Sequence, residues 1–262
     1  MIPDRSAYIR TYLFEHGQTS VVRLAEIVGT SVATIRRDLT EMEQAGLLER
    51  LHGTARIAPG ARGEVAFAAR ESTNLAAKRA IASAAYAAIQ PGTTILLDAG
   101  TTVLQLARRI KLMPLPDTVF TNGLAVAQEL ADVPGVTLCL LGGRLRAENN
   151  SMIGPLAETM LDQLWFDQLF LGVSALSDDG AISSFDADEA RANARMLVRS
   201  ARAVILADHG KFSQRATYAV AQLCGDEMLI TDRPLTGDLA EHARRIGLAT
   251  TVAAPDFGGP RA

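Results

Sequence analysis

Asp98-Ala99-Gly100-Thr101-Thr102 closes the apolar run "TILL" and precedes a stretch with helical apolar spacing. That combination suits an anion. A glycine lets backbone amides approach closely, two threonines add hydroxyl donors, and the positive end of the following helix points at the same place. The Gly-x-x-x-x-Gly-Lys-Ser/Thr spacing is absent, so this turn is not a nucleotide P-loop. Polar groups also close the other apolar runs: Thr121-Asn122 after "TVF", Gly142-Gly143-Arg144 after "VTLCLL", Gly172 and Ser174 after "DQLFL". Asp208, His209 and Lys211 follow "AVILA", and Thr231-Asp232 follow "EMLI". With Arg144 and Lys211 at the same crevice, Gly100, Thr101 and Thr102 read as a phosphate site. Asp186, Asp188 and Glu189 open a helix, where carboxylates cap the end and suit its dipole. If Asp186 or Glu189 also faces the crevice, its carboxylate accepts hydrogen bonds from ligand hydroxyls. Phosphate at one end and hydroxyls at the other describe a phosphorylated sugar or polyol. A lone histidine, His209 reads as structural or peripheral.

A second chemistry sits in "TIRRDL", where Arg36 and Arg37 are adjacent. Val32, Ile35, Leu39 and Met42 repeat at helical spacing, which turns Ser31, Thr34 and Arg37 away from the core and leaves Arg36 at the margin. Short hydroxyls near a helix start, followed by guanidiniums, are the side chains that enter a DNA major groove. Two arginines on a helix are by themselves more often a solvated face, here paired with Asp38 or Glu41. The surrounding elements decide for DNA. The spacing predicts a helix over 4–15 with Ile9, Tyr12 and Leu13 as its stripe. Ser20 caps a second helix running to Val28, Gly29 turns the chain, and Thr30 or Ser31 caps the third helix, which Gly46 closes. "LLERLHGTARI" reads as a two-stranded hairpin. Together these make a winged helix-turn-helix. The expected DNA-facing residues are Ser20, Ser31, Thr34, Arg36 and Arg37, with Arg50, His52 and Arg56 on the wing.

The elements that position the phosphate site follow a break at "APGARG". Residues 64–89 are Ala-rich and helical, and beyond them short apolar runs alternate with amphipathic stretches. Alternation of this kind predicts an α/β domain with a largely parallel sheet, whose ligands bind outside the carboxyl ends of the strands. The expected organisation is a DNA-binding domain over 1–58, a linker and connecting helix over 59–77, a binding domain over 78–253 and a disordered tail over 254–262.

Composition limits the alternatives. The net charge of −3 argues against a protein that coats nucleic acid non-specifically, and residues 1–60 balance seven arginines with seven acids. Any DNA contact must come from local clustering. No apolar run is long enough to span a bilayer, and the N-terminal "MIPDRSAYIR" is unlike a signal peptide. Cys139 and Cys224 lack metal-ligand spacing and read as reduced thiols in a cytoplasm. Neither a metal nor an organic cofactor is expected. Of 26 basic residues, only Lys78, Lys111 and Lys211 are lysines, which can mark places where a compact ammonium fits and a guanidinium does not.

The stretch from "TSVVRLAEIVGTSVATIRRDL" to "LHGTA" resembles the helix-turn-helix of the DeoR family of bacterial transcription regulators. "LLDAGTT", "TNGLAVAQEL", "LLGGRLR", "DQLFLGVSAL" and "ADHGKF" resemble that family's effector-binding domain, in the same order. The resemblance implies a fold related to ribose-5-phosphate isomerase and glucosamine-6-phosphate deaminase. It implies repression of a sugar-catabolic operon by an oligomer, dimer or tetramer, bound to double-stranded operator DNA and released by a phosphorylated intermediate. Carried over by position, it implies phosphate contact at Gly100, Thr101 and Thr102, and a pocket lined by Lys78, Asp98, Asn122, Arg144, Glu189 and Lys211. Thr121, Gly143, Ser174 and Asp208 join this set from the strand ends, and Asp186 from the start of its helix. "SSFDADEARANARMLVRSARAVILADHGKF" is similar to the glycerol-3-phosphate repressor branch. Three positions depart from the family pattern. Thr54 replaces a wing glycine, where its Cβ disfavours a left-handed turn; Gly210 replaces a serine; Ala175 replaces a glycine and adds a methyl near the ligand. An isomerase-type enzyme carrying a DNA-binding domain is the alternative, with Asp98 or Glu189 as the base and Lys211 beside it.

Overall fold

The apolar spacing of the first fifty residues folds into α1 (Arg5–His16), α2 (Val21–Val28) and α3 (Val32–Gln44), followed by β2 (Leu48–Leu51) and β3 (Thr54–Ile57). A further short strand, β1 (Thr19–Ser20), pairs antiparallel with β3, so the wing is a three-stranded sheet in the order β1-β3-β2 rather than a two-stranded hairpin. This computed structural model describes residues 5–44, 48–51, 53–57 and 67–254. Gly46, His52, the "APGARG" segment and the tail beyond 254 lie outside the described residues. The chain divides into two compact units, Met1–Thr73 and Asn74–Ala262.

In the first unit Ile9, Leu13, Leu24, Ile35 and Leu39 are fully buried, with Val21, Ala25, Met42, Leu48 and Ala55 around them. The Ser20 hydroxyl accepts from the Arg23 amide at 3.1 Å and caps α2. Gly29, at φ 69°, ends that helix in the left-handed conformation a glycine adopts without strain. The Ser31 hydroxyl accepts from the Thr34 amide at 3.1 Å and so caps α3. Thr54 is ordinary strand, with its hydroxyl accepting from Gln18 at 2.8 Å; the positive φ at the wing belongs to Gly53. The Cβ at Thr54 therefore meets no backbone obstacle, contrary to the expectation from the family pattern.

The Ala-rich stretch, read as one helical segment, is two helices: α4 (Phe67–Ser72) and α5 (Leu75–Ala87). Asn74, at φ 52°, breaks them apart; asparagine tolerates this left-handed conformation better than most residues.

The second unit is built on seven parallel strands. β4 (Thr94–Leu97), β5 (Thr118–Thr121), β6 (Thr137–Leu140), β9 (Phe166–Gly172), β12 (Ser200–Leu206) and β14 (Met228–Thr231) are the six apolar runs of the sequence, and β15 (Ala249–Val252) joins them. Their order is β15-β14-β12-β9-β4-β5-β6. The intervening helices are α6 (Thr101–Leu112), α7 (Leu124–Leu130), α8 (Pro155–Asp162), α9 (Ala187–Val198) and α10 (Gly237–Ile246). Two antiparallel additions complete the unit: the hairpin β7 (Arg144–Arg146) and β8 (Ser151–Ile153), and a sheet of β10 (Ala175–Leu176), β11 (Ala181–Ser184) and β13 (Tyr218–Gln222). Phe166, Leu169, Leu171, Ile205 and Leu229, all fully buried, form the middle of the core.

Candidate functional site

In the first unit, α3 presents Arg36 and Arg37 to solvent, and neither guanidinium has a partner among the described residues. The acid beside them is engaged elsewhere. Asp38 is buried and receives Arg5 of α1 through two hydrogen bonds, at 2.5 and 2.8 Å. Asp38, one of the two acids expected to pair with these arginines on a solvated face, is therefore taken, and the other, Glu41, makes no ion pair with either among the described residues. Ser31 and Thr34 stand at the start of the same helix with their hydroxyls 2.8 Å apart. On the wing, Arg50 donates to Thr40 of α3 at 2.9 Å and lies 3.9 Å from Glu43. Arg56 is half-buried, and His52 lies outside the described residues. Ser20 sits at the α2 cap, where its hydroxyl is already used. What remains open is one helix face carrying hydroxyls at its start and two uncommitted cations in its second turn.

In the second unit the strand order reverses between β4 and β9: β5 and β6 extend one way from β4, and β12, β14 and β15 the other way from β9. A crevice opens outside the carboxyl ends at such a switch point. Asp98 directly follows β4, and Gly172 ends β9. The Asp98 carboxylate, 3% exposed, accepts from the Gly100 amide at 3.0 Å and the Gly172 amide at 3.2 Å, which ties the two strand ends together. The backbones approach so closely that a Cβ on Gly100 would stand 3.4 Å from the Gly172 Cα. Helix α6 starts at this spot, and its first residues are Thr101 and Thr102. Neither threonine hydroxyl has a hydrogen-bond partner among the described residues. A helix start whose amides lack intrahelical acceptors, flanked by two unpartnered hydroxyls, has the donors an oxyanion needs.

Other groups converge on the same end of the sheet. Asn122 follows β5 and is bound to Met152 of the hairpin in both directions, its side-chain nitrogen donating at 3.3 Å. The Asn122 Oδ1 atom is buried without a partner. Asp208 follows β12 and accepts from the Gly210 amide at 3.0 Å and from Asn74 Nδ2 at 2.7 Å. Lys211 is half-buried in the 3-10 turn His209–Lys211, Ser174 is half-buried after β9, and Lys78 is buried on α5. His209 is held structurally, its Nδ1 2.6 Å from Asp232 at the end of β14.

Residues 5–59 match the DeoR-like helix-turn-helix domain, and residues 73–233 match the DeoR C terminal sensor domain. The chain belongs to the DeoR family. It is 35% identical to the HTH-type transcriptional regulator GlpR of Haloferax volcanii, over 95% of this chain and 97% of that one. It is 36% identical to the transcriptional repressor AccR of Agrobacterium fabrum, over 87% and 89%. A solved ribose 5-phosphate isomerase A from Methanocaldococcus jannaschii aligns with 52% of this chain and 53% of its own, at 16% identity and a TM-score of 0.37, a likeness too distant to bear on function. This DeoR protein is thus a DNA-binding transcriptional regulator with an N-terminal helix-turn-helix and a C-terminal α/β sensor domain. No helix among its described residues is long and apolar enough to cross a membrane.

Within this DeoR regulator several side chains stand elsewhere than their spacing suggests. Thr121 is fully buried and its hydroxyl accepts from the Gly123 amide at 2.9 Å, so it braces the turn after β5. Gly143 is crowded by its own chain, a Cβ there falling 2.8 Å from the Ile153 carbonyl oxygen. Arg144 is exposed on β7 and pairs with Asp188 at 2.7 Å. The arginine that is buried is Arg146, two residues on, at 3.2 Å from Glu189 and 3.4 Å from Asp186. Asn149 also donates to Glu189, at 3.1 Å. Sequence spacing did not single out Arg146 or Asn149; the adjacent "RLR" held a second candidate arginine. Asp186 caps α9 by accepting from the Glu189 amide at 2.9 Å. Ala175 is fully buried in β10, so its methyl lies in the interior rather than in the open crevice. Gly210 leaves room for Asn74, whose Nδ2 would stand 2.9 Å from a Cβ at that position.

Proposed function

We propose that this regulator represses a carbohydrate or polyol catabolic operon and leaves its operator when a phosphorylated sugar or polyol binds at the carboxyl ends of β4 and β9. The observation that carries this reading is the start of α6: free helix amides and the unpartnered Thr101 and Thr102 hydroxyls at the point where strand order reverses. Asn122, Ser174, Asp208, Lys78 and Lys211 supply polar groups around it. The protein works as an oligomer in the cytoplasm, with paired α3 helices on half-sites about one helical turn, or a multiple of it, apart. The effector shifts the balance between operator-binding and released forms by its difference in affinity for them. The relatives named above are a regulator and a repressor, which supports the same class.

The crevice is read as a sensor and not as an enzyme. Enediolate chemistry needs a carboxylate set against a substrate C–H, whereas both candidates here hold the protein's own structure together. The Glu189 carboxylate is occupied by Arg146 and Asn149, and Asp98 Oδ2 by two backbone amides.

A thermal-shift series with phosphorylated sugars and polyols, beginning with glycerol-3-phosphate and run beside the unphosphorylated compounds, tests the assignment. A true effector at 100 times its dissociation constant adds about 2.7 kcal/mol, and Lys211→Ala reduces that gain. Equal stabilisation by a phosphorylated compound and its unphosphorylated counterpart would remove the phosphate site.

A further inference from the structure

The chain has one tryptophan, Trp165, and it is 60% exposed. An indole is the largest apolar side chain, and in water it forgoes the burial that favours it. Trp165 lies in the connection between α8 and β9. The next residue, Phe166, donates its amide to the Arg199 carbonyl at 2.9 Å, which sets Trp165 beside the C-terminal end of α9. Val198 is 74% exposed there. Leu156 and Met160, one turn apart on α8, are exposed as well.

A cleft of about 410 Å³ adjoins this apolar group, lined by Asp162 of α8 and by Arg191, Ala194, Arg195, Val198 and Arg199 on and just after α9. Charges of both signs alternate around it. Glu158 lies 3.2 Å from both Arg191 and Arg195, Asp162 pairs with Arg195 and Arg199, and Asp188 with Arg191. A single-sign patch would repel a copy of itself; here each charge is balanced within the chain, so the face offers no net repulsion to a second copy. Tryptophan and arginine are also the residue types that dominate binding energy at interface centres.

We propose that this face is a two-fold interface between two copies of the chain, with Trp165 of each copy seated in the other's cleft against Val198 and the Arg195 and Arg199 guanidiniums. Knob and cleft stand side by side at one end of the α8–α9 pair. A two-fold axis between them brings each knob onto the opposite cleft, the self-complementary arrangement of a two-fold dimer. The indole face then stacks on guanidinium planes, a favourable cation–π geometry. The proposal rests on the oligomeric reading above and gives that oligomer a surface.

The lone tryptophan reports directly on the claim. Sedimentation velocity of the full chain across a dilution series measures association, and acrylamide quenching of Trp165 fluorescence is recorded on the same samples. The expected result is association accompanied by a blue shift and a fall in quenching. Trp165→Ala and Val198→Glu, both at exposed positions, each weaken self-association at least about 30-fold, the usual size of a hot-spot loss. Association that leaves Trp165 fully quenchable, or that both variants retain, overturns this interface while the oligomeric reading stands. A wild-type chain that stays monomeric at every concentration overturns both, and binding to paired half-sites, measured separately, shows whether the DNA-binding reading survives.

Discussion

Arg37 and Arg36 differ from most exposed arginines in that the adjacent carboxylate is already engaged: Asp38 faces inward to Arg5. Two cations held on a rigid helix face without local partners keep their full attraction for phosphate oxygens and guanine edges. Arg37→Ala should therefore weaken operator binding about 10- to 100-fold, the cost of one lost bidentate base contact, and leave effector-induced thermal stabilisation unchanged. Fluorescence anisotropy with labelled DNA reads the first effect and a thermal melt the second. An unchanged affinity would move the recognition surface off α3. In the sensor unit the comparison of Arg144 with Arg146 is equally sharp. Arg146→Met leaves the buried Glu189 carboxylate without its cation and should cost roughly 3–5 kcal/mol in chemical unfolding. Arg144→Met removes an exposed ion pair and should cost under about 1 kcal/mol. Equal losses would mean that the two side chains share one environment.

At the scale of elements, Asp179 in the turn between β10 and β11 offers a pH test. The Ser177 hydroxyl and the Arg215 guanidinium beside it hold its carboxyl down from an ordinary 3.8 to about 2. A carboxyl whose folded value is depressed stabilises the fold above its unfolded value and loses that contribution as pH falls through the folded one. Asp179→Asn should thus lower the melting temperature at pH 6, with the gap to wild type closing as pH drops from about 4 to about 2. A gap that persists at pH 2 would assign the loss to something other than the charge. Six of the seven strands were legible because each is a short apolar run, a signal that needs no partner to be seen, even at the β6 edge. β15 was not: "ATTV" is an edge strand with mostly exposed side chains and carries no such run. β1 has two residues and exists only through its pairing with β3. Arg146 was hidden for a related reason. Period-two alternation along β7 puts Arg144 and Arg146 on one face, and only the docking of the hairpin against α9 buries the second and leaves the first in water.

The whole molecule joins a helix face with uncommitted cations to a parallel sheet whose switch point offers hydroxyl and amide donors to an oxyanion. The two sites lie in separate compact units. Communication between them must pass through differential stability of two states of the full chain, since a ligand shifts only those equilibria whose two sides it binds unequally. The most direct test of the account is the affinity of the full-length protein for DNA it has selected from a random pool, measured by anisotropy with and without each phosphorylated compound that raises the melting temperature. The account predicts that one phosphorylated sugar or polyol weakens DNA binding, that its unphosphorylated counterpart does not, and that Lys211→Ala binds the same DNA but no longer responds. An effector that stabilises the protein yet leaves its DNA affinity unchanged would contradict it.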